Sequence, residues 1–342
     1  MDAEQSVDHP GGQTPPALDG AKVLITGGLG FIGSNLAHRC LTLGATVTVY
    51  DCLDPRSGGG NMFNIRGIEG SIKTILNDIR NFEGLSAAIV QQDILFNCAA
   101  YTSHPNSMKE PIIDIDVNCK GVINILEAAR RFNPDIKIVQ VGTTTQMGKM
   151  VYSPIDELHP EFPLDIYSAN KSVSEKYVLI YGKAYQMRVT VVRLGNVFGP
   201  RSNIKSPDFG FMNYFIGLGL QGKNIPVFGD GSQLRNISYV EDIIEALILA
   251  GRSEKSNGGV FFAVADRGMS VREVAEAVSK HIGGEVKDAE WPRDREAIEV
   301  GDAVISNAKC RSLLDWSPKW DLDSSLVKTK EYFTRFLGEY LR

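Results

Sequence analysis

The sequence predicts an α/β protein: a doubly wound parallel sheet followed by a smaller C-terminal α/β lobe. Three observations carry that expectation. Short apolar runs recur through the first two hundred residues, with helical stretches between them. A glycine-rich turn follows the first run and opens a helix. After about Gly199 the rhythm changes: Pro and Gly cluster over 199–231, strands shorten and helices become less regular.

The elements follow in order. Residues 1–20 are rich in Gly, Pro, Asp and Gln and hold little that builds a core, so they read as a disordered tail. Val23-Leu24-Ile25 is a short buried strand, and Phe31 to Leu43 has helical spacing. Thr46 to Tyr50, Ile72 to Leu76 and Ile94 to Asn97 are further strands. Asp114 to Phe132 is a long amphipathic helix with Val117, Val122, Ile125, Leu126 and Ala129 on one stripe. Ile136 to Val141 and Val189 to Val192 complete the alternation. Strands and helices in alternation imply a sheet covered on both faces. Glu241 to Leu249, Ser270 to Ile282 and Ser324 to Leu341 read as helices of the second lobe. The expected division is a nucleotide-binding domain over 21–199 and a mainly substrate-binding lobe over 200–342.

Composition excludes several classes. The 342 residues are 43% hydrophobic and 23% charged, ordinary for a water-soluble globular chain. Asp+Glu at 41 exceed Lys+Arg at 36, which argues against a nucleic-acid binder working by bulk positive charge. No apolar run approaches the ~18 residues of a membrane span, and Met1 to Gly20 has no apolar signal segment. The five cysteines (Cys40, Cys52, Cys98, Cys119, Cys310) are odd in number and scattered without a CxxC pair, so no metal site is expected, and reduced thiols in the cytoplasm are.

Gly27, Gly30 and Gly33 form a GxxGxxG turn between the first strand and its helix. One glycine allows a tight turn, another lets the backbone approach a pyrophosphate, and the third lets the helix pack on the strand. Phe31 and Ile32 then begin a helix whose unpaired N–H groups suit an anion. Asp51 closes the second strand, where a carboxylate accepts from ribose hydroxyls and repels a 2′-phosphate; this favours NAD over NADP. Asp78 and Ile79 follow the third strand, where an adenine edge would be read. Ala99 and Ala100 end the fourth, where small residues let a cofactor lie close to the backbone.

Tyr167 and Lys171 stand four residues apart and share one helix face. A lysine beside a phenol favours the phenolate, so the spacing predicts a lowered Tyr167 pKa and a general base for a hydroxyl. Thr143 emerges at the carboxyl end of its strand, where ligands of open α/β sheets bind.

These pieces together resemble the extended short-chain dehydrogenase/reductases, in the NAD-dependent epimerase/dehydratase family that acts on nucleotide sugars. The likeness runs from Lys22 to about Trp316 and includes Arg193-Leu194-Gly195-Asn196-Val197-Phe198-Gly199-Pro200, Gly229-Asp230-Gly231 and Leu313-Leu314-Asp315-Trp316. It implies a bound NAD reduced and reoxidised within one cycle, with Asn118 and Lys171 at the cofactor. It implies that Tyr167 deprotonates the sugar 4-hydroxyl, with Thr143 sharing the hydrogen bond, to give a 4-keto sugar. Asn196 matches a phosphate-contacting asparagine and Arg235 a diphosphate-neutralising arginine, with Arg293 or Arg295 as a second cation. His104 and Thr144 fall near the sugar. A homodimer through paired helices at about 107–132 and 167–184 is also implied.

The departures narrow the reaction. Where 4,6-dehydratases of this family carry Asp and Glu, the chain has Thr144 and Thr145, and hydroxyls do not replace a carboxylic acid and base. The glutamate of the decarboxylases and the cysteine of the 3,5-epimerases are absent there too. Arg235 is followed by Asn236 rather than the family's Asp. The expectation is a nucleotide-sugar 4-epimerase. The alternatives are decarboxylation, 2-epimerisation or dehydration through the same 4-keto intermediate, a net NAD(P)-dependent reductase, or a non-catalytic NAD sensor.

Overall fold

A computed structural model describes residues 17–57 and 60–342. Its centre is a seven-stranded sheet. The first half of the chain supplies β1 (Lys22–Thr26), α1 (Phe31–Thr42), β2 (Thr46–Asp51), β3 (Lys73–Leu76), α2 (Phe82–Ile89) and β4 (Ile94–Asn97). It continues through α3 (His104–Lys109), α4 (Pro111–Asp114), α5 (Val122–Phe132), β5 (Lys137–Thr143), α6 (Ile166–Tyr185) and β6 (Val189–Leu194). The second half adds β7 (Asn196–Phe198), α7 (Phe211–Leu220), β8 (Ile225–Phe228), β9 (Leu234–Tyr239), α8 (Val240–Arg252) and β10 (Gly259–Ala263). It ends with β11 (Gly268–Ser270), α9 (Val271–His281), β12 (Val286–Ala289), α10 (Arg293–Glu296), α11 (Ala308–Leu314) and α12 (Leu322–Leu341).

The strand order is β10-β6-β5-β4-β1-β2-β3, parallel throughout. Successive residues of each strand serve opposite faces. Val23 and Ile25 pack with Leu36 of α1 and Leu247 of α8 in one core, and Leu24 packs with Leu85 of α2, Ile125 of α5 and Val178 of α6 in the other. This is why the strands read as unbroken apolar runs instead of alternating ones. The sheet order reverses between β1 and β4, and that switch point opens a crevice at the carboxyl ends of the strands.

The second lobe is built on two small sheets, β11-β9-β7 and β12-β8. The chain crosses the expected boundary near residue 199 more than once: α8 packs under the large sheet and β10 extends it beside β6. The expected tail falls largely on 1–16, outside the described residues. Its last residues are not a tail, because Leu18 is fully buried and its N–H bonds Leu43 O at 2.8 Å. The single helix expected over 114–132 is three pieces, α4, a π-helical stretch Ile115–Gly121, and α5.

Candidate active site

The crevice begins where β1 turns into α1. Gly27 has φ +67°, and a Cβ there would lie 2.6 Å from Ala99 N; a Cβ on Gly33 would lie 2.2 Å from Gly27 O. Neither position admits a side chain, so β1, the loop after β4 and α1 approach as closely as the glycine pattern requires. Gly30 caps α1 without a side-chain hydrogen bond, and no acid stands in the first turn beside Phe31 and Ile32. That leaves the positive helix end open to an anion. Asp51 is nearly buried at the end of β2 and accepts from Leu29 N at 3.0 Å and Leu53 N at 2.8 Å. Burial raises its pKa above the ordinary carboxylate value. The cradle fits a dinucleotide with ribose hydroxyls at Asp51.

Two expected cofactor residues have other partners. The Asp78 carboxylate is held by Arg80 at 2.6 Å, while Ile79 is buried and packs over Gly121. Asn118 accepts from Tyr101 N at 3.1 Å and donates to Tyr101 O and Asp114 Oδ1, each at 2.9 Å. Both its amide hydrogens are used, so Asn118 fixes the loop that carries Ala99 and Ala100 and has no donor left for a ligand.

Thr143 ends β5, and Tyr167 and Lys171 lie one turn apart on α6; all three are buried. The Thr143 hydroxyl acts on the Tyr167 phenol, lowering its pKa, and itself lies 3.0 Å from Thr145 Oγ1. The structure corrects the expected effect of the lysine. Lys171 Nζ donates to Val141 O at 2.6 Å. Burial first, and then the carboxylates of Asp114 and Asp165, push the Tyr167 phenol above its ordinary value against the Thr143 hydrogen bond. Burial brings Lys171 down to about 8. The spacing is as read, but desolvation and two carboxylates, Asp165 close by in sequence and Asp114 far upstream, outweigh a lysine whose proton serves a carbonyl.

A cavity of about 590 Å³ runs from this cluster into the second lobe. Phe31, Ile32, Ala100, Thr143, Tyr167 and Lys171 border it at the crevice, so cofactor cradle and cavity are continuous. His104 and Thr144 line the same cavity, and so do Asn196, Arg235 and Arg295. Arg235 pairs with Glu299 and also donates to Leu234 O at 2.8 Å. Arg295 pairs with Asp208 at 2.6 Å. Arg235 and Arg295 thus line the cavity, but each carries a carboxylate partner, Glu299 and Asp208, that the sequence did not show. It also missed Asp165, which caps α6 through Ser168 N at 2.8 Å and bonds His104 at 2.8 Å. The Asp-x-x-Ser cap signal at 165–168 was legible. The aromatic wall of Phe228 and Trp291, with ring centroids 5.2 Å apart, carries no motif.

Comparison with known proteins follows the same lines. A family model described as the NAD dependent epimerase/dehydratase family matches residues 23–263. The chain is 30% identical over 308 residues to a putative UDP-glucose 4-epimerase of Methanocaldococcus jannaschii, covering 90% of this chain and 96% of that one. Its fold is similar to the UDP-glucose 4-epimerase of Thermotoga maritima with UDP-glucose (TM-score 0.82, 27% identity, 92% of this chain and 99% of that one). It is likewise similar to the Thermus thermophilus UDP-glucose 4-epimerase complex with NAD (TM-score 0.81, 29% identity, 92% and 99%).

Proposed function

Because the chain belongs to the NAD-dependent epimerase/dehydratase family, we propose that it is a nucleotide-sugar 4-epimerase, with Thr143, Tyr167 and Lys171 as its catalytic residues. One observation carries the residue assignment: Thr143, Tyr167 and Lys171, all buried, line one cavity that joins the glycine cradle to Asn196 and Arg235.

NAD, bound in the cradle, supplies a hydride acceptor and then a hydride donor. The residues of the chain do the rest. The α1 N-terminus holds the pyrophosphate and Asp51 the ribose. Arg235 and Arg295 offer the nucleotide diphosphate guanidinium forks in exchange for part of their contacts with Glu299 and Asp208. Tyr167 takes the proton of the sugar 4-hydroxyl and later returns it, while the Thr143 hydroxyl shares the hydrogen bond and fixes the oxygen. Positive charge supplied by the cofactor would oppose the two carboxylates, Asp114 and Asp165, that favour the protonated Tyr167 phenol. The ketone must then present its other face before the hydride returns. Thr144 and Thr145 hold the places an eliminating acid and base would need. Thr145 Oγ1 lies 3.0 Å from Thr143 Oγ1 and 2.8 Å from Ser168 Oγ, so the group is a cluster of hydroxyls. That chemistry supports return of the hydride over loss of water.

The finer assignments belong to the same proposal. UDP is the nucleotide favoured by the relatives, and polysaccharide precursor supply is the role that fits. A homodimer is supported by apolar side chains left exposed on α4, the π-helical stretch and α6: Ile112 at 67%, Ile115 at 43%, Val173 at 38% and Ile180 at 58%. Five free thiols among the described residues suit a reducing compartment such as the cytoplasm, and no described helix is long and apolar enough to cross a membrane. The test is a panel of UDP-, dTDP-, GDP- and CDP-hexoses and UDP-glucuronate given to purified protein without added cofactor. An isomer of unchanged mass is expected; loss of water or carbon dioxide would overturn 4-epimerisation.

A further inference from the structure

The sugar end of the cavity carries an acid–base pair that the 4-epimerase reaction does not use. His104 opens α3, whose first turn is capped by Ser103. Its Nδ1 lies 2.8 Å from Asp165 Oδ2, and its imidazole stands edge-on to the Tyr167 ring, with centroids 4.9 Å apart and planes at 80°. Asp165 is buried and held from two sides, since it also accepts from Ser168 N at 2.8 Å and Ser168 Oγ at 3.0 Å. Burial alone would raise the Asp165 carboxyl. The hydrogen bonds from His104 and from the Ser168 donors hold it below the ordinary carboxylate range.

Such a carboxylate fixes the tautomer and orientation of the ring. It accepts from Nδ1–H and leaves the Nε2 lone pair for a ligand. His104 lines the cavity beside Tyr167, and 31% of its side chain is exposed. The neighbours at this end offer no comparable base. Thr143, Thr144 and Thr145 are hydroxyls, and Lys171 donates to Val141 O. Tyr167 is committed to the oxygen at C4.

We propose that His104, oriented by Asp165, is a second base of the site, which removes a proton from a carbon next to the 4-ketone. The ketone acidifies the hydrogens on C3 and C5. Nε2 takes one of these protons, the C–H pair becomes the second C–C bond, and the carbonyl π pair moves onto O4 to leave an enolate. The reverse step restores the C–H bond and neutral imidazole, and nothing is oxidised or reduced. With hydroxyls where an eliminating acid would stand, the enolate has no assisted route to expel water. Return from the same base to the same face keeps the configuration, so the signature is hydrogen exchange with solvent.

The inference rests on the ketone-forming reading above, and the test separates the two by supplying the ketone. A UDP-4-keto-hexose is added to the full-length protein in deuterium oxide, and deuterium at C3 and C5 is followed by NMR and mass. Exchange at least a hundredfold above the protein-free rate is expected. His104→Gln should return it to that rate at an unchanged melting temperature. Asp165→Asn retains an oxygen to cap α6 but loses the charge on Nδ1–H, and should lower exchange at least tenfold. Exchange no faster than without protein, or undiminished in His104→Gln, would overturn the proposal. In the same preparation, isomer formed from a UDP-hexose without exchange would reject the second base and leave the 4-epimerase reading standing.

Discussion

At Tyr167 the fold opposes the role proposed for the side chain. Burial and the carboxylates of Asp114 and Asp165 favour the protonated phenol, yet a base must give up that proton. In the proposed reaction, positive charge brought by the ligands would offset these carboxylates, so the phenol would act as a base only in the assembled complex. Tyr167→Phe should reduce turnover by about 10³-fold while leaving NAD bound, read from steady-state kinetics and from the cofactor released on denaturation. Activity within tenfold of wild type would remove Tyr167 as the base. Asp51 makes the complementary prediction. Asp51→Ala removes the carboxylate that repels a 2′-phosphate, so the preference for NAD over NADP should fall by at least tenfold in equilibrium titrations, and an unchanged ratio would place the ribose elsewhere. That Thr143, Tyr167 and Lys171 meet at one cavity was legible, because helix and strand geometry fix which residues share a face. The environment of the phenol was not, because Asp114 lies 53 positions upstream and burial comes from the tertiary fold.

At the scale of elements, the glycine turn was readable in full, since its chemistry is local. A Cβ at Gly33 would press on the Gly27 carbonyl at 2.2 Å, and backbone cannot yield there as a flexible side chain would. Gly33→Ala should therefore displace the start of α1 and abolish copurification of NAD, a loss visible in the absorbance of the purified protein. The helix over 114–132 was legible only as a stripe of apolar residues. Reading that stripe with one α-helical period throughout misses the break into α4, a π-helical stretch and α5. The break bears on the site, because the stretch sets Asn118 against Tyr101 and so holds the loop after β4. The same elements leave Ile112 and Ile180 exposed. Ile112→Glu with Ile180→Glu should convert a dimer to a monomer in analytical ultracentrifugation; a wild-type monomer would refute the paired-helix interface.

The whole molecule is joined by chain that returns after the change of rhythm near residue 199. That return was not legible, because β10 and α8 are apolar segments whose partners β6 and β5 lie far upstream. Asp242 at the start of α8 ties the last part of the chain to this frame. Its carboxylate accepts from Lys319 N at 2.8 Å and Trp320 N at 3.2 Å, and its carbonyl accepts from Trp316 Nε1 at 2.9 Å. Burial raises the Asp242 pKa to about 6. An acid whose folded pKa lies above its unfolded value stabilises the fold when protonated, and that stability is lost as pH rises through about 6. The stability advantage of wild type over Asp242→Asn should therefore fall by about 1.4 kcal/mol between about pH 5 and pH 7.5 in urea unfolding. A pH-independent difference would show that the carboxylate is ionised throughout.

The central claim is that the hydrogen removed from C4 returns to C4 of the same substrate within one closed site. A UDP-hexose carrying deuterium at C4, given to the purified protein without added cofactor, tests it most directly. The account predicts a C4 isomer that retains the label at C4 in full. Label lost from C4, a product lighter by water or carbon dioxide, or turnover only with stoichiometric added NADH would contradict it.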